Sequence, residues 1–200
     1  GLVFPIEAIV RELNRRGIES LIDGAHAPGM VPIDLASLQP TYYTGNCHKW
    51  LCSPKGAAFL WVRADRREAM RPLVISHGAN SVRTDRSRFR LEFDYTGTGD
   101  FSAALCVPLC IDYLATLHPE GWAGIYRENR QLAIRGRRVL CDAMGVAPPA
   151  PEEMIGTMAS VPIATRPEGQ SVPPTKYHDA IQDELIRRWG VQVPIFPFAP

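Results

Sequence analysis

Hydrophobic positions along the chain change their period several times, and each change predicts an element. After Pro5, which suits a first helical turn, Ile6, Ile9, Val10 and Leu13 recur at helical spacing until Gly17. Residues 18–23 form a short apolar run ending in a carboxylate and predict a strand. Residues 24–29 predict a turn-rich loop. A short helical turn follows over 34–38 and a strand over 42–45. The continuous apolar run 56–63 predicts a strand buried on both faces if its sheet is central. Residues 76–95, with Arg83, Arg86, Arg88 and Arg90, predict a surface loop or an interface segment. Helices are predicted over 100–117, with Asp100 as N-cap, and over 119–144. The second is amphipathic through Trp122, Ile125, Leu132, Ile134 and Leu140, and Gly145 ends it. Residues 147–153 predict a linker, 158–165 a strand, 177–189 a helix and 191–198 the start of another strand. No internal repeat or low-complexity tract interrupts this order.

Helix, strand, polar loop, strand and strand in close succession predict an α/β fold with a mostly parallel sheet. The division expected is a larger domain over 1–118 and a smaller α/β domain over 119–200. In such sheets ligands sit at the carboxyl ends of strands. Asp23 and the His48-Lys49 pair both fall just after predicted strands.

The totals narrow the class. Net charge is +1, which suggests neither a nucleic-acid nor a membrane surface as main partner. No apolar stretch is long enough to span a bilayer, and no basic leader precedes Phe4-Pro5. Five cysteines without C-x-x-C spacing argue for free thiols in a reducing, cytoplasmic compartment. Both ends are apolar, which leads us to expect part of a longer protein.

The chemistry concentrates in Asp23-Gly24-Ala25-His26 and Asn46-Cys47-His48-Lys49. A lysine amine can hold an aldehyde as a Schiff base, and a carboxylate can hold a pyridine nitrogen protonated. Pyridoxal 5′-phosphate requires that pairing. His26 could donate to the cofactor's ring oxygen. Each residue alone has a plainer role: Lys49 on the surface, Asp23 capping a turn, His26 in a loop without a ligand. Trp50-Leu51 beside Lys49, with a buried strand following, argues against an idle lysine.

Residues 21–29 (LIDGAHAPG), 42–51 (YYTGNCHKWL), 54–60 (PKGAAFL) and 95–100 (YTGTGD) occur in this order. Together they resemble the class V aminotransferase family, and within it the isopenicillin N epimerase-like branch. The resemblance covers residues 1 to about 145 well and the remainder loosely. It implies a fold type I enzyme with Lys49 as Schiff-base lysine and Asp23 as partner of the pyridine nitrogen. His26 stands where many relatives have glutamine beside the ring hydroxyl. Asn46 and His48 stand where relatives bind the phosphate and shape the lysine's surroundings. Gly97-Thr98 matches a segment that reaches the partner subunit's cofactor phosphate, which implies a homodimer with shared active sites. The substrate implied is an amino acid, and the reaction an epimerisation, transamination or elimination at its alpha carbon.

Members of that family run to about twice this length. The backbone loop that binds the phosphate and the residue that stacks on the ring are expected upstream. The arginine that grips the substrate carboxylate is expected beyond Pro200. A second reading is therefore a truncated, non-catalytic fragment or dimerisation remnant. A nucleotide-binding α/β domain is disfavoured, because neither G-x-G-x-x-G nor a Walker lysine motif occurs. Cys47 and Cys52 flank the lysine but stand on no obvious mobile loop, so desulfurase chemistry is disfavoured. Cys106 and Cys110 have the i,i+4 spacing of a metal pair, but two packed thiols is the simpler reading, and no metal is expected. His77-Gly78 is expected to form a turn and the arginine run a solvated face.

Overall fold

Two buried hydroxyl residues start the sheet. Ser20 N–H donates to Thr41 Oγ1 (3.0 Å), and Thr41 N–H donates to Ser20 Oγ (3.1 Å). Each hydroxyl thus satisfies a backbone donor that burial would otherwise strand. Strand β1 (Leu21–Asp23) leaves this clamp parallel to β2 (Tyr42–Asn46), with Leu21 opposite Tyr42 and Asp23 opposite Thr44. Strand β3 (Ala58–Val62) returns antiparallel, with Asn46 opposite Ala58 and Tyr42 opposite Val62. This is the computed structural model of the chain; it describes residues 2–163 and 179–195.

The predicted α/β class holds. Among the described residues the sheet has the order β1-β2-β3, with one parallel and one antiparallel pair. β3 is an edge strand there, so it is not buried on both faces: Ala58 and Leu60 are exposed, while Val62 is buried.

Helix α1 (Ile6–Arg15) forms where the apolar spacing predicts it, with Glu7 in its first turn and Arg15 in its last, as the helix dipole favours. Its fully buried residue is Val10. Asp34 caps α2 (Leu35–Leu38) by accepting from Ser37 N–H at 3.0 Å. The expected helix over 100–117 is two helices, α4 (Ser102–Leu105) and α5 (Val107–Ala115). Pro108 explains the break, since it has no N–H to continue the ladder back into α4. Asp100 is not the N-cap: Phe101 holds that position of α4 without a side-chain bond, and Asp100, one residue earlier, accepts from Ser102 N–H at 2.8 Å. Helix α6 (Gly121–Met144) follows, and Trp122 at its start packs with Val107 and Leu114 on a core of Cys47, Leu51 and Ala57.

The arginine-rich segment is more ordered than expected. It contains a 3-10 turn at His77–Asn80 and helix α3 (Arg88–Phe93). The carboxylate of buried Glu92 binds Arg71 at 2.8 Å and Arg88 at 2.5 Å. Arg83 pairs with Asp85, and Arg90 with Asp94.

The chain divides into two compact units, 1–162 and 163–200, and α6 belongs to the first. In the second unit, α7 (Ala180–Trp189) is capped by Asp179, which accepts from Ile181 N–H at 2.9 Å. The helix expected over 177–189 thus begins later among the described residues; Tyr177 and His178 lie outside them. The strands expected over 158–165 and 191–198 do not form over 158–163 or 191–195. Neither segment has a ladder partner among the described residues; the nearest bridge joins Leu2 to Ile155. Residues 164–165 and 196–198 of those expectations lie outside the described residues.

Candidate active site

The parallel register brings two strand ends side by side. Asp23 closes β1 opposite Thr44, and Gly24 N–H continues the ladder by donating to Thr44 O at 2.9 Å. Gly24 lies so close to Tyr43 that a Cβ there would fall 2.1 Å from the phenol oxygen. The chain then turns tightly, with Ala27 N–H donating to Gly24 O at 2.8 Å. Asp23 Oδ1 accepts from Ala25 N–H at 3.0 Å, which aims the carboxylate along the start of this turn. This turn carries His26.

On the second strand, β2 ends at Asn46 and a closed loop returns to β3. Cys47 N–H donates to Ala57 O (3.0 Å), Cys52 N–H to Lys49 O (3.1 Å) and Ser53 N–H to Cys47 O (3.1 Å). His48 Nδ1 sits 2.9 Å from Ala57 O. A carbonyl only accepts, so Nδ1 carries the proton and His48 fastens the lysine loop to the entry of β3. Burial, and then neighbouring Cys110, push the Cys47 thiol pKa up, which suits a packed thiol rather than a nucleophile.

The two loops meet at Lys49. Its Nζ lies 3.1 Å from His26 Nε2. Trp50 donates its indole N–H to the other nitrogen of the same ring, at 3.4 Å. Residue His26 as a whole is exposed, but both ring nitrogens are engaged. Burial of the ring, and then the charge of Lys49, lower its pKa from the ordinary 6.5, while Asp23 works the other way. The sign follows from proton linkage. Between the lowered folded value and 6.5 the unfolded chain binds more protons, so the stability that neutral His26 contributes is present above 6.5 and is lost as pH falls below it. A nitrogen-15 NMR titration should place the His26 midpoint below 6.5; a midpoint at or above 6.5 would contradict the contact with Lys49.

Of the residues singled out by sequence, Asp23, His26 and Lys49 gather at one end of the sheet, and His48 holds the loop beneath them. Asn46 closes β2 on the same side. Thr98 lies in an exposed bend with no hydrogen bond to the His26–Lys49 pair. Sequence reasoning did not single out Trp50 as a His26 partner or Tyr43 as the wall against Gly24. The aromatic residue next to Lys49 was the available signal for the first.

A concavity of about 140 Å³ lies at the opposite end of the sheet, lined by Asn14, Glu19, Arg63 and Arg66. Its cations are taken: Arg63 pairs with Asp65 and Arg66 with Glu19. The carboxyl strand ends, where amine, imidazole and carboxylate converge, are the better candidate.

Comparison with known proteins places the chain in a family. The family model for aminotransferase class V matches residues 1–164. Isopenicillin N epimerase of Amycolatopsis lactamdurans is 32% identical over 206 residues, covering 98% of this chain and 49% of that protein. Putative L-cysteine desulfhydrase 1 of rice is 32% identical over 165 residues, covering 80% of this chain and 33% of that protein. The crystal structure of alanine–glyoxylate aminotransferase from Nostoc superposes with a TM-score of 0.63 at 16% identity, covering 94% of this chain and 47% of the other. The chain therefore spans half or less of the length of these relatives. No helix among the described residues is long and apolar enough to cross a membrane. With the matched model covering most of its length, the chain belongs to the class V aminotransferase family, whose members are pyridoxal-phosphate enzymes of fold type I.

Proposed function

We propose that this chain carries the cofactor-lysine half of a pyridoxal-phosphate enzyme that acts at the alpha carbon of an amino acid. The observation that carries this reading is the convergence of Lys49 Nζ on His26 Nε2 at 3.1 Å, at the strand ends that also bear Asp23. The donor set fits the cofactor: a primary amine for its aldehyde, a carboxylate for its pyridine nitrogen and an imidazole for its ring oxygen. When bound, pyridoxal phosphate supplies an electron sink for charge developing at the alpha carbon.

Lys49 is the amine that binds the aldehyde, and its Nζ then takes up and returns the proton at the alpha carbon. Asp23 holds the proton on the pyridine nitrogen. His26 orients the ring through its oxygen. Asn46 and His48 shape the lysine's surroundings, and His48 does so by fixing the loop on Ala57. Thr98 serves the phosphate of a partner subunit in a homodimer. The whole protein works in the cytoplasm on an amino acid. Its relatives include an epimerase and a putative cysteine desulfhydrase by name, so epimerisation, amino transfer and elimination all stay within the class proposed.

The chain, expressed within its full-length protein, should gain a protein-bound visible absorbance on addition of pyridoxal phosphate. Lys49→Ala should abolish it and lower turnover about 10³-fold. No band, or a band that survives Lys49→Ala, would favour the non-catalytic remnant instead.

A further inference from the structure

Two aromatic rings pack behind the strand ends that carry Asp23 and Lys49. By register and strand alternation, Ile22, Tyr43, Gly45 and Phe59 share one face of the sheet. Tyr43 is 4% exposed, and its ring stacks on Phe59 with centroids 6.1 Å apart and planes 7° from parallel. Both rings occupy room that a neighbouring side chain would need. A Cβ on Gly24 would fall 2.1 Å from the Tyr43 phenol oxygen, and one on Gly45 would fall 2.5 Å from the Phe59 ring. Neither glycine has a positive φ, so space alone requires glycine at both positions.

The two contacts join the halves of the site. Gly24 directly follows Asp23, and its N–H holds the ladder to Thr44 O at 2.9 Å. The Tyr43 ring therefore sets how closely the end of β1 can approach β2. Asp23 faces the other side of the sheet, so Tyr43 acts on its carboxylate through the backbone. Phe59 packs on the cluster of Cys47, Leu51 and Ala57, which includes residues on both sides of Lys49. The stack thus runs from the Asp23 strand end to the lysine loop. Burial, and then the charge of Asp23, raise the Tyr43 pKa above its ordinary 10.

We propose that Tyr43 is a positioning residue: its ring, seated against Gly24 and stacked on Phe59, fixes where the Asp23 carboxylate stands relative to Lys49. The seat rests on this packing alone. Its value to catalysis rests on the roles given to Asp23 and Lys49 above.

The test compares Tyr43→Leu with Tyr43→Phe in the full-length protein. Tyr43→Leu removes the ring from the seat. With nitrogen-15-labelled pyridoxal phosphate bound, it should move the pyridine nitrogen signal from the protonated toward the neutral position. It should also lower kcat about tenfold with little change in KM. Tyr43→Phe should restore most of both, because Cζ and Cε1 of the ring, at 2.2 and 2.5 Å from a Cβ on Gly24, still fill the seat. A side chain that merely fills the core would lower the melting temperature and leave the nitrogen signal in place; that result in folded Tyr43→Leu would overturn the proposal. A second measurement needs no cofactor. Carbon-13 tyrosine NMR, with Tyr43→Phe identifying the signal, should show the Tyr43 titration midpoint fall in Asp23→Asn, because a neighbouring negative charge has been removed. An unchanged midpoint would overturn the proposal even if Tyr43→Leu does not fold. The expected fall without cofactor attachment at Lys49 would refute the functional reading and leave the seat standing.

Discussion

Asp23→Asn is expected to lower turnover of the intact enzyme about 10³-fold while leaving the fold in place. The substitution is nearly isosteric, and the amide oxygen can still accept from Ala25 N–H, now at 3.0 Å from Oδ1. The turn carrying His26 therefore survives. The lost element is the negative charge at the end of β1. A neutral amide cannot hold a proton on a pyridine nitrogen as a carboxylate does, so the effect belongs to the step in which charge develops at the alpha carbon. It should appear in kcat with little change in KM or in the thermal melt. A drop of less than about tenfold would mean that Asp23 merely caps its turn.

Gly29→Ala is expected to be the most damaging small substitution in the site, costing about 3 kcal/mol. Gly29 has φ +81°, a region that L side chains rarely adopt, and a Cβ there would meet the Trp50 carbonyl carbon and oxygen at 2.5 Å and Leu51 N at 2.6 Å. These are backbone atoms, so relief requires moving the chain segment next to Lys49. Gly17 supplies the control. It has φ +67°, but nothing lies within 4 Å of its would-be Cβ, so Gly17→Ala should cost only about 1 kcal/mol. Equal losses in the two thermal unfolding curves would show that conformation, not the seat against Trp50, governs position 29. Cofactor attachment should weaken in Gly29→Ala and stay unchanged in Gly17→Ala.

Much of this arrangement was legible in the order of residues, for identifiable reasons. Strands and helices near the start of the chain announce themselves because each buries one face: Val10 on α1, Tyr43 and Val62 in the sheet. Asp23 and Lys49 could be placed because strand ends are where α/β folds gather chemistry. The misses involve partners that local pattern does not encode. Residues 158–163 have strand-like composition, but a strand exists only with a ladder partner. The break between α4 and α5 turns on Pro108 within an otherwise helical stretch. Whether β3 is buried on both faces depends on what flanks it, not on its own apolar run. The link from Trp50 to His26 joins residues 24 positions apart and required the parallel register of β1 and β2 to be seen.

The central claim is that Lys49 is the amine that captures the cofactor. The chain has three lysines, Lys49, Lys55 and Lys176, so the claim can be read directly. The full-length protein, equilibrated with pyridoxal phosphate and reduced with borohydride, should yield one cofactor-modified peptide from this chain, and fragmentation should place the added mass on Lys49. Modification on Lys55 or Lys176 instead, or none on Lys49 while the protein remains folded, would contradict the account.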